Sequence, residues 1–174
     1  VEKEQGTAAV KYHGLRGVLE YDMLAAQHYD DFVFGIGGGR DVGGAVVRAD
    51  LVVTDAPSKR YAQFVANVSY SWISAGRNMS GSLEYFYNGF GQSGGNYAPE
   101  DLARNPELLA RIARGQIFTL GRHYVAASVM IEMTPLWTVT PILLANAGDP
   151  SALVQLTSRW SLGDNLVLRS EEHT

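Results

Sequence analysis

The glycine-rich stretch from Phe34 to Gly39 is the first segment whose residue types suggest chemistry, because loops of this composition bind nucleotide phosphates. Such a loop needs a helix directly after its glycines, since the helix N-terminus and its amides hold the anion. Here the segment 40–44 follows instead, and a strand-like pattern comes after it. The sequence therefore favours a turn and close strand packing over a nucleotide site, and we predict no cofactor.

Metal and hydrolase chemistry would depend on the histidines. They lie far apart in the sequence, without the short spacings of metal ligands, at His13, His28, His123 and His173. The chain has no cysteine, which removes thiolate ligands, disulfides and cysteine nucleophiles together. We predict no metal site and no nucleophile elbow of a serine hydrolase. The protein is thus predicted not to be an enzyme, with a Ser/His/Asp hydrolase left open as the alternative.

The charge balance argues against nucleic-acid partners. The 174 residues include 14 Lys and Arg against 18 Asp and Glu, which gives a net charge of −4 at pH 7. A protein that binds DNA or RNA needs a basic surface to neutralise phosphates, and this composition does not supply one. Charged residues make up 18% of the chain, below the roughly 25% of ordinary globular domains. Uncharged polar side chains must therefore occupy many positions.

Most of the chain shows the two-residue period of β-strands. Between Tyr61 and Ser74, apolar residues such as Phe64, Val68 and Trp72 alternate with polar ones. The same alternation, separated by turn signals, predicts ten strands. They are 7–13, 18–28, 32–38, 44–54, 61–74, 80–88, 122–133, 136–146, 152–161 and 166–170. Pro141 lacks a backbone donor, so the eighth strand should carry a local defect.

The segment 89–116 interrupts this pattern. After a glycine-rich lead it shows an Asn, a Pro, an acid, then arginines and a Gly, which together mark a short helix from 105 to 115. We predict one domain, 1–174, in which 89–116 is a long extracellular loop with a solvated helix. In the alternative, the charged residues of the loop fold inward as a constriction. These residues are Glu100, Asp101, Arg104, Arg111 and Arg114.

The polar row of the strands distinguishes between two surroundings. In a soluble barrel or sandwich this row faces bulk water and should be rich in lysine and glutamate. Here it consists mainly of Ser, Asn, Gln, Thr, Ala and Gly, and we place Lys3, Lys11 and Lys59 outside the interiors of clear strands. That composition suits the lumen of a membrane β-barrel, whose other row faces lipid. The apolar stretches, of about six residues, are too short for a membrane-spanning helix.

The barrel interpretation gives each row a role. Charged inward positions shape the field in a pore, whereas an arginine facing lipid at mid-depth costs about 2–4 kcal/mol. The predicted pore-lining residues are Arg48, Asp50, Glu84, Arg122, Glu132 and Arg159. The predicted lipid-facing and girdle residues are Phe64, Val68, Tyr70, Trp72, Tyr85, Tyr87, Trp137 and Trp160. In the alternative, the charged residues form salt bridges that fill a narrow, closed barrel.

The C-terminal half contains the stretches FTLGRHY (118–124), TPLWTVTP (134–141), DPSAL (149–153) and WSLGDN (160–165). Together they resemble the closing hairpins of porin-like bacterial outer-membrane β-barrel proteins, and the resemblance extends loosely over 17–170. It implies an antiparallel, up-and-down transmembrane β-barrel in the outer membrane of a Gram-negative bacterium, with membrane lipid as a partner. Because outer-membrane barrels include hydrolases, the enzyme alternative stays open.

We expect the chain to be part of a longer barrel. Such barrels have short periplasmic turns and long external loops. With 89–116 outside, the first strand enters from outside and the tenth ends there, whereas the resemblance implies periplasmic termini. The terminal aromatic residue usual in such proteins is also missing. We therefore expect a fragment that lacks at least one strand at each end of a barrel of twelve or more.

The leading functional prediction is passive diffusion of small hydrophilic solutes or ions through a porin-like barrel. A second prediction is a structural or adhesive outer-membrane barrel that does not conduct. A third, from another class, is a soluble β-barrel that binds an apolar ligand.

Overall fold

The computed structural model describes residues 6–149, 151–163 and 166–173; in the last two strands it describes side chains up to Ser161 and at Ser170. Ten antiparallel strands form one sheet in chain order. They are β1 (Thr7–Arg16), β2 (Leu19–His28), β3 (Asp31–Val42), β4 (Ala45–Asp55), β5 (Arg60–Ser74), β6 (Arg77–Asn88), β7 (His123–Thr134), β8 (Trp137–Asn146), β9 (Ala152–Gly163) and β10 (Leu166–His173).

The predicted all-β, antiparallel class and the ten strands are confirmed. Each strand pairs with its neighbours in the chain, as in an up-and-down sheet. Within the described residues no ladder joins β1 to β10, so the sheet is open. Closure into a barrel stays a prediction.

Of two local irregularities predicted from the sequence, one is confirmed and the other is shorter than predicted. The defect at Pro141 is confirmed, because the pairing of β7 with β8 stops at Ile142 and resumes at Val139. The turn predicted over 40–44 is shorter than expected. Strand β3 continues to Val42, and Gly43 and Gly44 alone make the turn, with φ of 63° and 86°. Glycine adopts these left-handed angles without steric cost.

The two ends of the sheet have different connections. At the end that we call the tight-turn end, two residues each separate β1 from β2, β3 from β4, β5 from β6 and β7 from β8. At the opposite, loop end, 29–30 is equally short, but 56–59, 89–122 and 147–151 are longer. The long connections therefore all lie at one end.

Cross-strand pairing sorts the side chains onto two faces. One row of paired positions on what we call the apolar face contains Val47, Val68, Leu83, Ala127, Leu143 and Val154. A row on the opposite, polar face contains Arg48, Asn67, Glu84 and Ala126. Most of the exposed large hydrophobic side chains belong to the apolar face, among them Val10 at 73% and Trp160 at 53% exposure.

The buried apolar core is small and lies at the loop end. It consists of Ala56, Tyr61, Phe90, Leu108 and Ile117. Along the middle of the sheet, Phe64 and Trp72 are half-buried and Val68 is exposed, as are the apolar neighbours of Val68 in β4 and β6. The alternating strands thus leave their apolar row uncovered in the described chain.

The connection 89–122 carries two helices, α1 (Pro99–Leu102) and α2 (Pro106–Ala113). Helix α2 confirms the predicted helix: the Asn105 side chain accepts from the Leu108 amide at 3.3 Å, and Gly115 follows with a φ of 69°. Helix α1 was not predicted, and the connection extends to 122 rather than 116. Of the described helices, none has the length and apolarity to cross a bilayer.

We predict that Ala75→Gly stabilises the fold. Ala75 and Gly76 form the β5–β6 turn with φ of 50° and 72°, and a left-handed φ is unfavourable for alanine. Glycine should raise the free energy of unfolding by about 0.5–1 kcal/mol. Denaturant unfolding followed by far-UV circular dichroism measures the change. The control Ala49→Gly, in the interior of β4, should lower stability; a loss in Ala75→Gly would contradict the prediction.

Candidate functional site

The polar face carries five of the six predicted pore-lining residues. By strand register these are Arg48, Asp50, Glu84, Glu132 and Arg159. Asp50 lies at the centre of its strand and Glu84 towards the loop end, whereas Glu132 and Arg159 lie towards the tight-turn end. Charge on this face is therefore distributed along the whole length of the strands.

The glycines of β3 make room for charged side chains of the neighbouring strand. Gly35, Gly37 and Gly39 lie on the polar face between β2 and β4. A Cβ at residue 37 would overlap the Asp50 carboxylate, and one at residue 39 would lie 2.7 Å from Cγ of Arg48. The close strand packing predicted for this stretch is confirmed.

Two ion pairs cross the polar face beside these glycines. Lys11 Nζ lies 3.0 Å from Asp22 Oδ1, and His13 Nδ1 lies 3.2 Å from the same oxygen. On the other side of β3, Arg48 Nη2 lies 3.6 Å from Glu20 Oε2. Lys11 thus occupies the interior of β1, contrary to the expectation that strand interiors lack lysine. Because these side chains are partly exposed, each pair contributes little to stability and mainly balances charge.

A groove lined by hydroxyl groups lies nearer the tight-turn end of the polar face. Its volume is about 330 Å³, and its walls include Ser69, Ser71, Ser80, Ser82 and Ser128. Ser82 Oγ and Ser128 Oγ are 2.9 Å apart. Hydroxyl groups both donate and accept, so the groove offers an uncharged hydrogen-bonding surface. The sequence shows the serines but not their convergence, which depends on β6–β7 pairing across a long loop.

The eight predicted lipid-facing and girdle residues share the apolar face. By register these are Phe64, Val68, Tyr70, Trp72, Tyr85, Tyr87, Trp137 and Trp160. Trp72, Trp137 and Trp160 lie towards the tight-turn end, and Tyr87 towards the loop end. The rings of Trp137 and Trp160 lie 6.4 Å apart, and Tyr85 donates to or accepts from His123 Nδ1 at 2.8 Å. Aromatic side chains therefore occur near both ends of this face.

The connection 89–122 lies over the loop end of the polar face. Asp31, Thr54, Tyr61 and Asn88 are strand-end residues on the polar face, and all four are buried. The Asn88 amide donates to the Thr119 carbonyl at 3.3 Å, and its carbonyl oxygen accepts from the Phe90 amide at 3.1 Å. The loop is thus attached to the strand ends on the polar side.

Arg111 of α2 fixes the loop to the β2–β3 turn. Its Nη2 lies 2.8 Å from Asp31 Oδ2, with both side chains only 7% exposed. The guanidinium also lies 4.1 Å from the centroid of the Phe90 ring, which stacks on Tyr61. The expectation of a solvated helix is wrong for this residue, because α2 turns Arg111 and Leu108 into the small core. The sequence could not show this, since an arginine in the last turn also suits an exposed helix end.

Arg122, the sixth predicted pore-lining residue, lies at the base of the loop. It precedes β7 by one residue, and its Nε and Nη2 donate to the Gly91 carbonyl at 3.2 and 3.1 Å. Its guanidinium therefore holds the two ends of the 89–122 connection together.

A polar cluster joins this connection to the neighbouring 147–151 loop. The Asn146 amide donates to the Tyr97 hydroxyl at 2.6 Å and to Asp149 Oδ2 at 2.8 Å. Hydrogen bonds from Ser151, and then from Tyr97, hold the pKa of Asp149 below its usual range. Burial, followed by the hydrogen bond to Asp149, raises the pKa of the Tyr97 hydroxyl. The two longest neighbouring connections at the loop end are therefore coupled by charge-assisted hydrogen bonds.

One hydrolase-like spacing does occur, contrary to the expectation above. Residues 91–95, Gly-Gln-Ser-Gly-Gly, have the glycines and serine of a nucleophile elbow. In the structure Ser93 is exposed in an irregular segment, with four residues between Gly94 and α1, instead of a sharp strand-to-helix turn.

The described histidine side chains form hydrogen bonds at separate places in the sheet. His28 bonds to Thr7, His13 to Asp22, and His123 to Tyr85. Within the described residues, no three acidic or histidine side chains converge as metal ligands.

No protein-family model matches this sequence, and no curated protein or solved structure is significantly similar to it.

We predict that Arg111→Met strongly destabilises the fold. The substitution leaves the Asp31 carboxylate buried without its partner, which costs about 3–5 kcal/mol. The change should appear as a lower denaturant midpoint, and adding Asp31→Asn to Arg111→Met should recover part of the loss. Arg104→Met is the matched control in the same loop, because Arg104 is 80% exposed in its pair with Asp101. Equal losses in the two single variants would contradict this account.

Acid should loosen the 147–151 loop before the sheet. Because the folded pKa of Asp149 is lowered, its contribution is complete above the unfolded value near 4 and is lost as pH falls through the lowered value. Amide hydrogen exchange in 147–151 should therefore accelerate as the pH falls below about 4, after correction for intrinsic rates. Asp149→Asn should abolish this dependence, whereas Glu100→Gln, an exposed acid on α1, should retain it. Identical profiles in the wild type and Asp149→Asn would disprove the assignment.

Proposed function

We propose that the chain forms the wall of a porin-like outer-membrane β-barrel through which small hydrophilic solutes or ions diffuse. The observation that carries this proposal is the separation of two faces over the strands with described side chains. The apolar face, 55% exposed at Phe34 and Ile36, lacks a covering layer in the described chain. Soluble monomers rarely leave apolar patches larger than a few hundred Å² uncovered, whereas a lipid-facing wall must.

The placement of charge on the apolar face supports lipid contact. The described charged residues on this face are Arg16, Arg40, Asp55, Arg60 and Arg77, and each lies within three residues of a strand end. Charge near a strand end reaches the headgroup region, whereas charge at mid-depth is costly. The aromatic residues near both ends of the same face match the two interfacial girdles of such barrels.

The stagger of the strands supports closure. The row of paired residues through Val68 can be followed across the sheet, and its distance from the tight-turn end changes from strand to strand. In β1 the row meets Arg16, the last residue before the turn. In β5 it lies six residues from the tight-turn end, and in β9, at Val154, it lies nine residues from that end. The strands are thus displaced progressively in one direction. Such a displacement accompanies the strand tilt that a barrel requires.

The polar face supports a water-filled interior. It combines the serine groove, the ion pairs beside β3 and the carboxylates of Asp50 and Glu84, all of which interact favourably with water. The 89–122 connection covers the loop end of this face and, in a closed barrel, narrows that mouth. A barrel filled by the loop and the ion pairs is the second candidate, which would be structural and non-conducting.

Arginine substitutions at two adjacent positions test which face meets lipid. Val68→Arg places a charge on the apolar face near mid-strand and should cost about 2–4 kcal/mol of folding free energy in phospholipid vesicles. Asn67→Arg, on the polar face next to it, should cost much less. Urea unfolding from vesicles, followed by tryptophan fluorescence, measures both. Equal tolerance of the two arginines would contradict lipid contact, because a water-exposed face accepts either.

Single-channel recording in planar bilayers separates the candidate functions. The longer barrel that we expect to contain this chain, refolded in detergent, should insert with heat-modifiable gel mobility and give discrete conductance steps. Insertion without conductance would favour the structural barrel. A chain that folds in buffer and does not enter bilayers would reject both membrane candidates.

A further inference from the structure

We propose that the passage favours cations over anions and that Asp50 and Glu84 determine this preference. The inference rests on the proposed function, because it assumes that the polar face lines a water-filled path. It concerns the two carboxylates in this part of the polar face that form no ion pair among the described residues.

The cations in the middle of the polar face are already neutralised. Lys11 pairs with Asp22 at 3.0 Å, and Arg48 pairs with Glu20 at 3.6 Å. Both pairs lie beside the glycines of β3. The pair of Arg48 with Glu20 reaches across β3 from β4 to β2, because the glycines have no side chains there. To a passing ion these pairs act as local dipoles of small net charge.

Asp50 and Glu84 differ because each lacks a cationic partner among the described residues. Asp50 is exposed, and its carboxylate lies over Gly37, where it borders cavities of about 190 and 80 Å³. Glu84 is half-buried and shares a row with Arg48, with Asn67 between them. Asp50 lies at the centre of β4, and Glu84 lies four residues before the loop end of β6.

The unmatched arginines lie away from this band. Arg122 is at the base of the loop and donates to a backbone carbonyl. Arg159 lies six residues closer to the tight-turn end than Leu153, the residue of β9 that shares the paired row of Glu84. An ion halfway along the polar face therefore meets two unbalanced negative charges. These lie on strands two apart and are offset by two residues along the strands, so they are roughly 12 Å from each other, close to the Debye length of about 10 Å at 0.1 M salt. Their fields reinforce each other there.

Reversal potentials of the longer barrel that we expect to contain this chain, measured in planar bilayers, test the inference. In a tenfold KCl gradient of 0.1 to 0.01 M, the wild type should pass potassium over chloride on the order of threefold, from two screened unit charges at about 10 Å. In a gradient of 1 to 0.1 M the preference should fall, because the Debye length shortens to about 3 Å on the concentrated side.

Substitutions of Asp50 and Glu84 test whether these two residues determine the cation preference. Asp50→Asn and Glu84→Gln should each lower the preference, and the double variant should abolish it while retaining conductance. Asp50→Asn keeps the side-chain shape that lies over Gly37. Glu100→Gln is the matched control, because it removes the same charge from exposed helix α1 and should leave the selectivity near that of the wild type.

The outcomes separate the inference from the proposed function. Conductance with chloride preference, or with a potassium preference that survives in the double variant, overturns the inference and leaves the passage intact. Absence of conductance in the inserted, complete wild-type barrel overturns both. Should the double variant fail to insert, the two single variants and the salt dependence of the wild type decide the matter.

Discussion

Continuous register between neighbouring strands is the constraint on which the rest of the structure depends. Since side chains alternate with a period of two, a slip of one residue would move an entire strand's apolar set to the polar face. The pairing runs without a shift from β1 through β7, and the β7–β8 ladder shifts near Glu132, close to the tight-turn end. Positions remote in sequence, such as Lys11 and Glu84, thereby share one surface.

The loop end obeys a different rule. There the chain builds an ordinary protein core, in which Leu108 is fully buried in one cluster with Tyr61 and Phe90. The ion pair of Arg111 with Asp31 is buried at the same end. Conventional packing is thus confined to the place where the longest connection bends over the strand ends. Elsewhere the described sheet presents apolar side chains outward on one face and hydrogen-bonding groups on the other. The loop end is thus packed around a buried core, whereas the sheet keeps an exposed apolar face.

Strand existence and facing could be predicted because both are local properties. Val68 and Asn67 reveal their faces by alternation alone, and Asn105 and Gly115 mark the ends of α2 by their side chains and backbone angles. Arg111 could not be placed this way, since its partner Asp31 lies 80 positions earlier and meets it through the loop's path. The pairing of Arg48 with Glu20 likewise depends on strands that meet across β3.

Gly37 and Asp50 show how one strand of the sheet can fix the position of a charge on its neighbour. The carboxylate occupies the volume that a side chain at residue 37 would need, so the two positions form a single steric unit shared between adjacent strands. Any larger residue at 37 would displace the carboxylate while leaving the backbone ladder able to form. The glycine thus governs where a neighbour's charge rests, and a change there would alter the electrical character of the surface before it disturbed the fold.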